Sequence, residues 1–378
     1  MSRVRTGLEK LVSGPRPAMG SRVGLVTNPT GVLPDLTPSA TALLAAGVPL
    51  TTLFSPEHGL RGTAQAGRGE EDAADPVTGL PVVDTYQRSG AELDELVASS
   101  RVDTLVFDIG DVGTRFYTYV WTMYDLMVTA ARLGSRFVVL DRPNPIGGVA
   151  SEGPLLDPSY AGFVGRAPIP VRHGLTVGEL ALFVNRTINA KLEVVGLQGW
   201  RREAYFDETG LPWVMPSVNM PTLETALVYP GTGLLEGTNV SEGRGTTRPF
   251  ELVGAPYADG RFAEALNGLG LPGVRFRDTW FTPTFGKHAG VPVRGVQAHV
   301  GDRRSFRPVL TGVSMLHVLR TLYPGDFACD PFLDQLWGSG SLRRSLDAGD
   351  DPRELCAPVP WLDEVELLYG RHQPSGRR

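Results

Sequence analysis

Short apolar segments that alternate with helix-like segments constrain the fold of this chain more than any other feature. Before residue 200 the strand-like segments are Val23–Thr27, Leu50–Ser55, Val82–Thr85, Val102–Phe107, Arg136–Leu140 and Leu192–Leu197. Helix-like segments lie between them: Thr37–Ala46 with Thr37 as its N-cap, Ala91–Ala98, Tyr117–Leu133, and Thr176–Ile188 with a capping box of Thr176 and Glu179. This alternation predicts an α/β domain with a largely parallel sheet that is covered on both faces.

The pattern changes after residue 200. Short strands at Val274–Phe276 and Val293–Val300 follow a stretch rich in Gly and Pro, and helices are predicted at Pro308–Leu322 and Asp351–Tyr369. We therefore expect a larger α/β domain over residues 1–200 that carries the catalytic loops, and a smaller α+β domain over residues 201–378 that closes a cleft.

Composition excludes several classes of protein. The formal net charge is -5 and no cluster of Lys and Arg stands out, so a nucleic-acid partner is disfavoured. No apolar run has the length of a signal peptide or a membrane span, which predicts no membrane insertion and a cytoplasmic location. An extracytoplasmic location stays the alternative if a leader has been removed. Cys329 and Cys356 indicate neither a disulfide framework nor a zinc site.

Polar side chains follow most of the predicted strands at the point where each strand ends. Asn28, Glu57 with His58, Asp108, and Asp141 with Arg142 come directly after buried-type segments or within two residues of them. Parallel strands share one carboxyl edge, where open α/β sheets bind ligands, so these groups are expected to line one crevice. Structural alternatives stay open: Glu57 or His58 can pair within its turn, and Asp108 or Asp111 can pair with Arg115.

Two later segments add candidates. His173 precedes the predicted capped helix, where it contacts a substrate or only fixes the loop. Residues 235–250 read LEGTNVSEGRGTTRPF, and an Arg in such a glycine-rich loop can bind a carboxylate through two hydrogen bonds. After Val23–Thr27 the chain reads NPTGVLPD, without a dinucleotide or P-loop signature, so nucleotide chemistry is disfavoured. No paired-His spacing supports a metal, and no cofactor is expected.

Taken together, the motifs VGLVTNPTGV, LFSPEHGLRG, FDIGDVGTRFYTYVWTM, LDRPNPIGG, EGP, PIPVRHGLTVGELA and PSVNMPTLETALVYPGTGLLEGTNVSEGRGTTRPFELVGAP resemble those of the NamZ family of exo-β-N-acetylmuramidases. The resemblance covers nearly the whole chain. It implies a Rossmann-like N-terminal domain, a smaller C-terminal domain, and an active site in the cleft between them. It also implies release of N-acetylmuramic acid (MurNAc) from the non-reducing end of peptidoglycan fragments, in cell-wall turnover or recycling.

By motif match, the resemblance assigns the catalytic acid to Glu57. Glycoside hydrolysis needs a second group, for which Glu242, Glu236, Asp108 and Tyr119 are the candidates. The lactyl carboxylate of MurNAc calls for an Arg, and Arg115, Arg142 and Arg244 are available. The full set of predicted site residues comprises the catalytic candidates Glu57, Glu242 and Asp108 and the substrate-binding candidates Asn28, His58, Asp111, Arg115, Tyr119, Asp141, Arg142, Asn144, His173, Glu236, Asn239 and Arg244.

Two other functions stay open on the sequence alone. The first is a metal-dependent hydrolase that uses His58 with nearby carboxylates, and the second is an amino-sugar-binding protein without turnover.

Overall fold

A seven-stranded sheet forms the framework of the N-terminal part in a computed structural model, which describes residues 3–65, 67–69 and 73–370. Its strands are β1 (Val23–Thr27), β2 (Leu50–Ser55), β3 (Ala73–Ala74), β4 (Pro81–Asp84), β5 (Thr104–Asp108), β6 (Arg136–Leu140) and β9 (Lys191–Val195). A two-stranded hairpin consists of β7 (Glu152–Leu155) and β8 (Pro170–Arg172), and a three-stranded sheet consists of β10 (Leu252–Ala255), β11 (Val274–Phe281) and β12 (Val293–Val300).

The helices are α1 (Gly7–Ser13), α2 (Ser39–Ala45), α3 (Gly90–Ser100), α4 (Tyr119–Leu133), α5 (Val177–Ile188), α6 (Leu223–Thr232), α7 (Gly260–Gly268), α8 (Pro308–Leu322), α9 (Phe332–Trp337), α10 (Ser341–Ala348), α11 (Pro352–Leu355) and α12 (Trp361–Glu364).

The strand order of the large sheet is that of a Rossmann fold. The order across the sheet is β3-β4-β2-β1-β5-β6-β9, and every neighbouring pair is parallel except β3 with β4. Without β3, the strands in chain order lie as 3-2-1-4-5-6, which is the dinucleotide-fold order with its switch point between β1 and β5. The predicted fold class, an α/β domain with a second smaller domain, is confirmed.

Side chains point alternately to the two faces along the central strands, which explains why both faces of this sheet are covered. In β5, Leu105 and Phe107 join the apolar cluster that includes α3, α4 and α5, whereas Val106 joins the cluster that includes α1 and α2. Successive side chains of a strand point to opposite faces, so an uninterrupted apolar run supplies both layers. The register then aligns the strand ends, with Thr27 opposite Asp108 and Ser55 opposite Asp84.

The C-terminal part packs α6 closely against α8. Gly231 and Gly312 allow this approach, because a Cβ on Gly231 would lie 1.9 Å from the Pro308 carbonyl oxygen. The three-stranded antiparallel sheet and α7 complete this part. Its apolar side chains belong to the same buried cluster as one face of the large sheet. The predicted boundary between residues 200 and 201 stays a prediction.

Several predicted elements differ from the structure. The helix expected at Asp351–Tyr369 is instead α11 and α12, since Pro358 and Pro360 interrupt it. Helix α2 begins after Pro38, which makes no side-chain cap, so the Thr37 cap is wrong. The capping box of Thr176 and Glu179 is confirmed.

The sequence pattern also missed α1, α6, α7, α9, α10, β3, β10 and the β7–β8 hairpin. Both cysteines are free. Among the described residues, no helix has the length and apolar character needed to cross a membrane. The cellular compartment stays a prediction.

Candidate active site

A cavity of about 310 Å³ lies beyond the carboxyl end of β2 and the start of α4. Its wall combines residues that are distant in sequence, including Glu57, His58, Tyr86, Gln87, Tyr117, Thr118, Tyr119, Phe163, Ser217, Asn219, Tyr229, Glu236, Arg244, Phe250 and Phe332. Five of the predicted site residues are therefore brought together here: Glu57, His58, Tyr119, Glu236 and Arg244.

Glu57 is held in this wall by donors on both carboxylate oxygens. Its side chain is buried, with 8% of the residue exposed. The Gly67 amide donates to Oε1 at 2.7 Å, and the Thr118 hydroxyl donates to Oε2 at 2.6 Å. Two donors on one carboxylate match its acceptor-only ionised form. Burial and the nearby Glu57 charge raise the pKa of Tyr86 to about 12, so that phenol remains a hydrogen-bond donor.

His58 reaches the cavity through an uncommon backbone conformation. Its φ is +71°, in the left-handed region that a non-glycine residue seldom adopts. Nδ1 lies 2.8 Å from the Ala64 carbonyl oxygen, which can only accept, so Nδ1 carries the proton in the neutral ring. Nε2 is then the acceptor, and the ring meets Tyr119 edge to face at 6.4 Å.

Glu236 is the second carboxylate of the cavity. It lies in the single-turn 3₁₀ helix, Gly233–Gly237, that follows α6. Burial raises its pKa, and the Arg244 guanidinium, 3.0 Å away, opposes that rise. A carboxyl group whose pKa is raised keeps its proton to a higher pH, which suits a proton donor.

Glu242 belongs to the same charged group but does not belong to the wall of the cavity. Its carboxylate pairs with Arg244 Nε at 3.4 Å and with Lys287 at 3.0 Å. Arg244 in turn lies over the Phe250 ring, 5.0 Å from its centroid. Glu242 therefore holds Arg244 in place and offsets its positive charge from outside the wall of the cavity.

Three neighbouring tyrosines, Tyr117, Tyr119 and Tyr229, line one part of the cavity. Tyr119 donates to the Pro216 carbonyl at 2.6 Å, and Tyr117 meets Tyr119 and Tyr229 edge to face at 4.9 and 5.8 Å. Burial raises the pKa of all three phenols, which keeps them protonated. The rings of these tyrosines therefore give this part of the wall an apolar surface.

Asp108 and Arg142, both predicted for the site, bind each other instead. Arg142 donates to the two oxygens of Asp108 at 2.6 and 2.9 Å, and Asp108 is fully buried. Neither residue belongs to the wall of the cavity that contains Glu57. Arg142 lines a separate cavity of about 50 Å³ together with Asp111 and Pro216, and Thr27 and Asn28 at the end of β1 line another of about 250 Å³. The expectation that all strand ends share one ligand crevice is wrong for Asp108 and Arg142.

Asp111 and His173 form a second buried pair, 3.0 Å apart. His173 Nδ1 accepts the Leu175 amide at 3.1 Å, so Nε2 carries the proton that Asp111 accepts. Arg115 is fully buried and donates to the carbonyls of Pro154, Ile169 and Leu336. Burial lowers its pKa to about 9. These three predicted substrate-binding residues therefore hold loops together, outside the wall of the cavity.

The remaining predicted residues also bind the protein itself. Asp141 accepts from Thr176, Gly178 and Tyr369, and burial raises its pKa to about 6. Asn28, Asn144 and Asn239 each use both ends of the amide within the protein. The sequence could not separate them from ligand-binding groups, since polar residues at strand ends serve either purpose.

Several residues of the cavity were missed by the sequence analysis. Thr118, Asn219 and Tyr86 lie in its wall, yet each stands in an unremarkable local pattern. Phe163 and Phe332 stack at 6.0 Å with their ring planes 8° apart, and both belong to the wall. Among the described residues, no three His, Cys, Asp or Glu side chains are grouped to hold a metal ion.

Comparison with known proteins places both parts of the chain in one family. Residues 23–224 match the family described as "Exo-beta-N-acetylmuramidase NamZ, N-terminal", and residues 227–362 match its C-terminal counterpart. The peptidoglycan beta-N-acetylmuramidase NamZ of Bacillus subtilis is 49% identical over 354 residues, which cover 92% of this chain and 85% of that protein.

Two solved structures share the fold. Both are DUF1343 family proteins of Bacteroides fragilis. The first has a TM-score of 0.84 with 34% identity and covers 94% of each chain. The second has a TM-score of 0.76 with 28% identity and covers 98% of this chain and all of its own.

Proposed function

This chain is a glycosidase of the exo-β-N-acetylmuramidase NamZ family, and we propose that Glu57 and Glu236 are the two carboxylates with which it releases terminal MurNAc from peptidoglycan fragments. Two carboxyl groups that flank the scissile bond are the usual requirement of glycoside hydrolysis. Among the described residues, Glu57 and Glu236 are the two carboxylates in the wall of the cavity described above.

The two carboxylates take different roles. Glu236, whose pKa is raised by burial, protonates the leaving oxygen as its bond to the anomeric carbon breaks. Glu57, which accepts hydrogen bonds on both oxygens, attacks that carbon or deprotonates the attacking water. The sequence had assigned the proton donor to Glu57, and these contacts favour the reverse.

The size of the cavity favours cleavage from a chain end. About 310 Å³ is at the lower limit of small-ligand pockets, which span roughly 300–1,000 Å³, and suits one sugar residue. Phe163, 39% exposed, stacks on Phe332 in the wall and offers an apolar surface to the sugar that leaves. Apolar ring faces with a few polar groups are typical of such sites.

Arg244 is the proposed partner of the lactyl carboxylate. Of the three arginines predicted for this role, Arg115 binds backbone carbonyls and Arg142 binds Asp108, whereas Arg244 lies in the wall of the cavity. Among the described residues, Glu236 and Glu242 contact its Nη2 and Nε, and Nη1 is the nitrogen that we assign to the ligand. MurNAc differs from GlcNAc by the lactyl group, so this contact provides the selectivity.

The observation that carries the proposal is that Glu57 and Glu236, from opposite halves of the sequence, line one cavity. The test is product analysis on MurNAc–GlcNAc beside GlcNAc–GlcNAc. We expect free MurNAc and GlcNAc from the first substrate alone, and loss of turnover in Glu57→Gln with an unchanged circular dichroism spectrum. Full activity of Glu57→Gln, or turnover that a chelator abolishes and a divalent ion restores, would contradict it.

A further inference from the structure

Asn219 is a buried amide in the wall of the cavity whose nitrogen has no partner. The residue is 6% exposed, and its Nδ2 makes no hydrogen bond with any of the described residues. A buried donor that gives up water without a replacement destabilises the fold, so such groups are rare and call for an explanation. The three asparagines predicted for the site differ from it, because the protein satisfies both ends of each amide.

Hydrogen bonds on both sides of Asn219 hold the backbone around it. The Met220 amide donates to the Ser217 carbonyl at 3.0 Å, which closes a turn around Asn219. On one side, Tyr119 holds the Pro216 carbonyl at 2.6 Å, and on the other, Trp213 holds the Pro221 carbonyl at 2.9 Å. The amide is therefore fixed beside the cavity at a net cost to stability, as is typical of a group reserved for a ligand.

The chemistry of a carboxamide points to an amide as its partner. It offers one acceptor and one donor side by side, and an acetamido group offers the complementary N–H and C=O. The 2-acetamido group of MurNAc is on the carbon next to the anomeric centre, so the residue that binds it must share a cavity with the catalytic carboxylates. Asn219 does so with Glu57 and Glu236.

We propose that Asn219 is the residue that recognises the 2-acetamido group of the substrate, an inference that rests on the proposed function of the cavity. Rotation about χ2, which is a soft torsion, turns both polar ends towards the sugar without moving the backbone.

The first experiment compares kcat/KM on MurNAc–GlcNAc with that on the same disaccharide lacking the N-acetyl group of its muramic acid. A site that binds a substrate by hydrogen bonds rejects the analogue that lacks them, so we expect wild type to prefer the acetylated substrate by about 10²-fold or more. In Asn219→Ala the ratio falls below about tenfold, because the acetylated substrate loses its contact. An unchanged ratio overturns the proposal.

The second experiment measures thermal unfolding without ligand. Asn219→Leu removes an unsatisfied amide, so the variant unfolds at the same temperature as wild type or higher. The matched variant Asn144→Leu breaks bonds to Leu175 and Ile146 and unfolds at a lower temperature. Equal destabilisation of both variants means that Asn219 is structural, and overturns the proposal.

Binding measurements test the role of Asn219 independently of the proposed function of the cavity. Calorimetry with free MurNAc and free muramic acid needs no turnover. Wild type is expected to bind MurNAc more tightly, and Asn219→Ala is expected to lose that preference. If wild type cleaves neither disaccharide but shows this preference, the proposed function fails while Asn219 keeps its role. Equal binding of both sugars by wild type overturns the role of Asn219.

Discussion

Thr118 donates a hydrogen bond of 2.6 Å to Oε2 of Glu57 and so fastens the loop after β2 to the residue that precedes α4. The two residues are 61 positions apart, and each belongs to the wall of the cavity. Thr118 therefore positions the carboxylate, and its removal leaves the Gly67 amide as the other donor described above.

Thr118→Val keeps the shape of the side chain and removes this donor. We expect kcat to fall by about 10- to 100-fold with little change in KM, since hydrogen bonds to charged groups contribute roughly 1.5–3 kcal/mol. Thr118→Ser is expected to restore most of the activity. Thr122→Val, one turn further along α4, is the control and should act like wild type. A fall in the control of the same size would point to damage to the helix.

The roles of the two carboxylates are separable by the leaving group. A general acid matters less when the leaving group needs no proton, so Glu236→Gln should lose about 10²–10⁴-fold on MurNAc–GlcNAc and far less on 2,4-dinitrophenyl β-MurNAc. Glu57→Gln should lose activity on both substrates. The measurement is kcat/KM for each variant on each substrate, and the opposite pattern would return the proton donor to Glu57.

The pH dependence of kcat/KM tests the roles of Glu236 and Glu57 independently. The acid must be protonated, and burial raises the pKa of Glu236, so the alkaline limb of kcat/KM on MurNAc–GlcNAc should lie above the range of an ordinary glutamate. That limb should weaken or vanish with the dinitrophenyl substrate.

The strands were predictable because apolar runs and their polar ends are local features. Val23–Thr27, Leu50–Ser55 and Arg136–Leu140 begin and end where the sequence indicated. Glu57 and His58 follow β2 directly, and their position was predictable for the same reason. Thr118 and Asn219 were not, since their environment depends on contacts between distant segments.

The choice among the carboxylates also depended on distant contacts. Glu236 and Glu242 are six residues apart in sequence, and only the folded structure shows that Glu236 belongs to the cavity wall while Glu242 pairs with Lys287. Asp108 looked like a catalytic residue at a strand end. Its partner Arg142 is 34 residues away, and no local pattern marks the pair.

Arg244→Lys tests whether Arg244 binds the lactyl carboxylate of MurNAc. The charge beside Glu236 is kept, but the planar guanidinium, whose separate N–H groups can serve Glu236, Glu242 and the ligand together, is lost. We expect kcat/KM on MurNAc–GlcNAc to fall by about 10- to 100-fold, as for one charged hydrogen bond. Arg248→Lys is the matched control, because Arg248 is outside the wall of the cavity and pairs with Glu251. Equal losses in both variants would refute the assignment.

Asp108→Asn tests whether the Asp108–Arg142 pair is structural. Removing one partner of a buried ion pair leaves an uncompensated charge, which costs about 3–5 kcal/mol of unfolding free energy. Asp278→Asn breaks the exposed pair with Arg294 and should cost about 1 kcal/mol or less. Urea unfolding measures both. Activity per folded molecule of Asp108→Asn should stay within a few-fold of wild type, and a loss of about 10³-fold in folded enzyme would restore the catalytic assignment.

Asp141 makes stability depend on pH in a direction opposite to that of most carboxylates. Burial raises its pKa in the folded protein to about 6, against an ordinary value of 3.8. Between these values the folded state binds the proton and the unfolded state does not, so the contribution is fully present below about pH 4 and is lost as pH rises through 6. Relative to Asp141→Asn, wild type should therefore gain about 2 kcal/mol of unfolding free energy from pH 7 to pH 4, where the unfolded carboxyl has begun to take up its own proton. Urea unfolding of both proteins across this range measures the difference, in which the other titrating groups cancel. A difference that stays constant with pH would mean that Asp141 titrates alike in both states.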